Sequence, residues 1–196
     1  MNNMTSSTLT SAGLAVGVGM LLVEHIRWWR AGGGGAAAAS GGGKKGAPAA
    51  AAGRSRDPIV LAQTWMGIAF GTLMVACPAG MLGTAAGFLR WGGNGIGGTV
   101  MQSMTGAHAE TVANASAPTL DANGSIVVTA LVFVLFLLRK TYAKHIRSRF
   151  LRGVFIGTIV AIGTGVFAMI GQAVVPGVND LGAQIMGHII HSSVSV

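Results

Sequence analysis

Acidic residues are nearly missing from this chain: five Asp and Glu stand against thirteen Lys and Arg, for a formal charge of +8. Charge of either sign is itself scarce, at 9% of residues, while 51% are hydrophobic and the mean hydropathy is +0.62. A soluble domain of 196 residues carries more charged surface than this, so lipid is the expected solvent. The single cysteine, Cys77, excludes an intramolecular disulfide and leaves the redox compartment unread. Residues 1–8 hold no Lys or Arg, the basic region a cleavable signal peptide requires, so the first apolar block reads as a retained span.

What is present is a set of long, unbroken apolar blocks, the mark of membrane helices rather than of alternating barrel strands. The first runs from Leu9 to Val23 and on through Glu24, His25 and Arg27 to Trp28 and Trp29, about 21 residues and long enough to cross a bilayer. The paired tryptophans before Arg30 suit an interfacial belt. Residues 31–56 follow, with 10 Ala and 9 Gly in 26 positions, a composition that predicts a flexible linker. The second block, Ile59–Leu89, would be about 46 Å long as one helix and overshoots the bilayer. Pro78, with Gly80 and Gly83 close behind, is expected to break it, leaving a kinked span and a short surface helix near Met81–Trp91 from which Arg90 snorkels to the headgroups. A glycine-rich loop over 92–121 comes next. The third block, Ser125–Leu138, spans only if extended to residues 122–142, and the fourth, Val154–Val175, reads as a plain span. Beyond Asn179, Asp180, Gln184, His188 and His191 share one helical face opposite Leu181, Ile185 and Ile189, which predicts a C-terminal amphipathic helix.

The fold expected is therefore all-α and polytopic, with about four transmembrane helices. Its three parts are a first helix over 1–30, the linker at 31–56, and a three-span unit over 57–196. Twelve of the thirteen basic residues fall in two patches, one from Arg27 to Arg56 and the other comprising Arg139, Lys140, Lys144, Arg147, Arg149 and Arg152. Retention of Lys and Arg in the cytoplasm places both patches inside, the loop at 92–121 outside, and both termini outside, in a multi-pass cell-membrane protein. The basic loop then meets acidic lipid headgroups, with a nucleic-acid backbone as the lesser partner.

Small residues recur at four-residue spacing: Gly13 and Gly17, Gly67 and Gly71, Gly83 and Gly87, and Gly153, Gly157, Ala161 and Gly165. Such faces let helices approach closely in lipid, within one chain or between copies. The last set is the candidate helix-packing face. Catalytic signals are absent: the interiors of the last three blocks hold no Asp, Glu, His, Lys or Arg, only polar groups such as Gln63, Thr64, Thr72, Thr129, Thr158 and Thr164, which commonly bond to backbone carbonyls. The Gly92–Gly98 run lacks the Gly-Lys-Ser/Thr of a phosphate loop. Asp180, His188 and His191 lack a third strong ligand one turn away, so they read as a solvated face, and neither metal nor cofactor is expected.

A small, Ala/Gly-rich, basic chain with these four apolar blocks and two basic loops resembles the plasmid spread proteins, accessory membrane proteins encoded on conjugative elements of high-GC Gram-positive bacteria. The resemblance is one of general character and carries over no site residue. It implies a non-enzymatic role in moving DNA, in assembly with other membrane components. Two other classes stay open on the residues alone: a small channel, pore or holin-like oligomer, and a membrane subunit that anchors a soluble partner through the linker.

Overall fold

The computed structural model describes residues 8–32, 58–77, 80–112, 117–138, 143–162, 165 and 167–194. Among them the chain forms six helices and no strand: α1 (Ser11–Gly32), α2 (Pro58–Ala76), α3 (Gly80–Thr105), α4 (Ala122–Leu138), α5 (Ala143–Val160) and α6 (Ala168–Val194). Local chemistry marks several starts. The Thr10 hydroxyl accepts the Gly13 N–H at 3.1 Å, capping α1, while Leu9 and Leu14 join one apolar cluster as a staple across the cap. Asp121 caps α4 in the same way, accepting the Gly124 N–H at 2.7 Å. Pro58 opens α2, at a position where a missing N–H costs nothing.

The centre of the bundle is the pair α2 and α5. Gly67 lies against the Phe150 carbonyl and Gly71 against the Val154 carbonyl, so both helices ascend together and are parallel. On one flank α1 runs antiparallel to α5, with Gly17 against Ile159 and Glu24 against Arg152. On the other flank α4 and α6 are antiparallel, Gly124 meeting Asn179 while Val128 clusters with Val175, and this pair packs on Leu73 and Ala76 of α2. Across the end lies α3: Ala86 clusters with Met74 near the end of α2, Gly93 rests on Ile159, and Gly97 meets the Ala12 backbone at the start of α1.

Several sequence expectations are corrected. The second block does break between Ala76 and Gly80, whose φ of +85° suits glycine, but the surface helix does not stop near Trp91. It continues to Thr105, so the first half of the loop expected at 92–121 is helical, Gly92–Gly98 included. The physical reason is close packing: Ala86, Arg90, Gly93 and Gly97 recur at helical spacing and are the buried face of α3. Residues 107–112 then tie back to α1, with Ser11 N–H donating to the Glu110 carbonyl at 2.8 Å and Val112 N–H to the Leu9 carbonyl at 2.7 Å.

The fourth block is not one span. Its helix, α5, begins inside the expected basic loop and ends at Val160, and α6 starts only at Ala168 after a turn through Gly165, whose φ is +71°. The tail helix expected from Asn179 is the second half of α6, which runs through Pro176 without interruption. Among the described residues no single helix is both long and apolar enough to cross a membrane. Leu61–Ala76 and Gly80–Thr105 meet that condition only as a pair bent by 109°, and Ala122–Leu137 is apolar but short. The linker, from residue 33 on, lies outside the described residues, as do Pro78, Arg139 and Lys140.

Candidate functional site

The chain direction of the central helices gathers charge at one end of the bundle. Because α5 is parallel to α2 and antiparallel to α1, the end of α1 and the starts of α2 and α5 share a level. There Arg152 forms an ion pair with Glu24, and Arg27 approaches the same carboxylate at 3.7 Å. Arg152 also donates from Nε to the Ser148 carbonyl at 3.2 Å, which holds its guanidinium along α5. Of the basic loop, Lys144, Arg147, Arg149 and Arg152 all lie on α5, so this part of the loop is helical rather than extended. Arg149 is exposed. Next to Glu24 in the chain, His25 Nδ1 is 2.8 Å from the Leu21 carbonyl and the ring stands edge-on to Trp65 at 5.7 Å.

The candidate packing face divides. A β-carbon at Gly153 would strike the Thr64 carbonyl, and one at Gly157 the Ile68 carbonyl, so these two residues form a backbone-to-backbone seam with Gly67 and Gly71. Ala161 is buried just past the end of α5. Gly165 is corrected: it lies outside any helix, with nothing within 4 Å of where its β-carbon would be. Both glycine pairs of the seam thus face each other inside one chain.

At the opposite end Arg90 does not snorkel. It is 3% exposed, and its guanidinium donates from Nε to the Thr158 carbonyl at 2.7 Å and from Nη2 to the Ala161 carbonyl. The last carbonyls of a helix have no intrahelical donor and carry the negative end of its dipole, so the final turn of α5 is where a buried cation is best satisfied. Beside it Asn94 clamps the start of α1: its Oδ1 accepts the Thr10 N–H and hydroxyl, both at 3.0 Å, and its Nδ2 donates to the Thr8 carbonyl at 2.7 Å. Neither role was visible in the sequence, apart from Arg90 being the one basic residue outside both patches.

The hydroxyls within the apolar blocks bond locally, buried for Thr72 and Thr158 and exposed for Thr129. Thr72 donates to the Ile68 carbonyl at 3.0 Å, Thr129 to Ser125 at 2.8 Å and Thr158 to Phe155 at 2.8 Å. Among the described residues every buried side-chain nitrogen and oxygen has a partner, and no three His, Cys, Asp or Glu residues gather as metal ligands. In the tail Asp180, Gln184 and His188 are exposed. The chemistry these arrangements offer is helix packing, charge pairing and the display of a basic end. Comparison with family models, with curated proteins and with solved structures yields no match.

Proposed function

We propose that this chain is a non-enzymatic integral membrane protein, a structural or accessory component of a membrane assembly, with its basic end in the cytoplasm. The observation that carries the reading is α4. It has no charged residue, and Ile126, Leu131, Phe133, Val134, Phe136 and Leu137 are 40–62% exposed. An apolar surface of this extent is unfavourable in water and ordinary in lipid. Charge placement supports the orientation, since α1 ends and α2 and α5 begin next to basic residues at one end of the bundle. In this arrangement α3 lies along the outer surface and the broken block formed by α5 and α6 does not cross as one rod.

The glycine seam is used within the chain, which favours a scaffold over an oligomeric pore assembled through those faces. The process to which the resemblance points is conjugative DNA transfer or plasmid spread, with other membrane proteins as partners. Alkaline carbonate extraction of membranes from expressing cells tests the class: the chain stays in the pellet and is released only by detergent. Quantitative release by carbonate alone contradicts it. Transfer frequency after deletion of the gene from a mobile element tests the process.

A further inference from the structure

Along α1, Val16, Gly19, Met20 and Val23 line an open groove of ≈ 400 Å³ that ends at Arg27 and Arg152, with Glu24 between them. The groove has one apolar length and one charged mouth. From Val16 to Arg27 it follows α1 for about 16 Å, roughly half of a 30 Å hydrocarbon core and so the depth of one leaflet. At the mouth the carboxylate of Glu24 is taken up by Arg152, while the Arg27 side chain is 67% exposed. Arg30 lies one turn beyond Arg27 on α1, and Arg149 one turn before Arg152 on α5. Four arginines and one acid therefore leave the mouth positive.

We propose that this groove binds one anionic phospholipid, with its phosphate at Arg27 and an acyl chain lying along Val16, Gly19, Met20 and Val23. The inference rests on the membrane reading above and adds a specific ligand class to it. Charge selects the occupant. A second copy of this chain carries +8, and the segment at 31–56 carries four Lys and Arg and no acid, so both bring like charge to a positive mouth. A basic pocket beside a membrane helix on the cytoplasmic side complements an acidic headgroup.

Gly19 makes the proposal testable, because nothing lies within 4 Å of the position its β-carbon would take. Gly19→Leu places a side chain in the groove from a position where the β-carbon itself meets no other group. Full-length protein in detergent is titrated with phosphatidylglycerol, and separately with phosphatidylcholine of the same chains, and bound lipid is counted by native mass spectrometry. One phosphatidylglycerol binds in preference to phosphatidylcholine, Gly19→Leu weakens it about tenfold, and Arg27→Gln weakens it about fivefold. Equal binding of both lipids, or unchanged phosphatidylglycerol binding in both variants, overturns the site. Competition by soluble glycerol phosphate as strong as by the lipid overturns the acyl-chain half and leaves a plain phosphate site. Loss of a dimer in Gly19→Leu with lipid binding intact assigns the groove to a second copy and overturns the proposal. Carbonate extraction separates the two levels: a chain that stays in the pellet but shows no lipid preference loses the site alone, and one released by carbonate loses the membrane reading.

Discussion

The Nε of Arg90 on α3 donates to the Thr158 carbonyl on α5 at 2.7 Å, so the helix lying across the bundle is fastened to the end of a helix within it. Removing the guanidinium leaves two carbonyls at a helix terminus without their donor. Arg90→Met is expected to cost about 3 kcal/mol, as charge-assisted hydrogen bonds and a helix-end interaction are lost together. Arg90→Lys keeps the charge but not the planar fork, and recovers part of the loss. Thermal unfolding of the two variants in detergent, followed by circular dichroism, reads the order.

The seam between α2 and α5 admits no side chain. Gly157→Ala places a methyl on the Ile68 backbone and is expected to destabilise by about 3 kcal/mol, because backbone cannot move aside as a flexible side chain would. Gly95→Ala is the contrasting variant: it lies on α3 with nothing within 4 Å, and is expected to stabilise by about 0.5 kcal/mol through helix propensity. The same melting experiment compares them, and similar effects from both would mean that the seam is not tight.

The pair of Glu24 and Arg152 joins α1 to α5, and a double-mutant cycle with Glu24→Gln and Arg152→Gln measures it. Because the Arg152 side chain is about one-third exposed, the expected coupling is only about 1 kcal/mol, falling as salt is raised. A coupling of zero at low salt would remove the pair from the account of how α1 is held.

The basic helix start separates lipid from nucleic acid. Arg152 is committed to Glu24, so the informative variant is Arg147→Gln with Arg149→Gln, which leaves the ion pair intact. DNA binding by the purified protein is expected to be weak and its salt dependence unaltered by the two changes. A slope of log affinity against log salt that becomes shallower by about 2 would show phosphate contacts at those positions.

Helices were legible in this sequence over the first three apolar blocks, and the break before α3 was legible because a proline and φ-positive glycine sit between two apolar runs. The continuation of α3 was not. Seven residues with five glycines disfavour helix by local propensity, and it is tertiary packing, Gly93 on Ile159, Gly97 on Ala12 and Asn94 on Thr8 and Thr10, that offsets this. The spacing of Ala86, Arg90, Gly93 and Gly97 was the available signal. The end of α5 at Val160 was hidden for the opposite reason, since hydropathy continues unbroken to Val175 while the backbone turns at Gly165. The contacts of Arg90 with α5 and of Glu24 with Arg152 join positions far apart in the chain, and no local pattern encodes them.

The central claim is a helical bundle inserted with its basic end in the cytoplasm, and cysteine labelling of intact cells tests it most directly. Cys77→Ala first removes the background thiol, and Gly43→Cys, Ile146→Cys and Ala115→Cys are then introduced one at a time. An impermeant thiol reagent is expected to label position 115 and to spare 43 and 146 until the cells are permeabilised. Labelling of 43 and 146 with protection of 115 would invert the orientation, and labelling of none of the three until permeabilisation, in a chain that carbonate extracts, would contradict insertion itself.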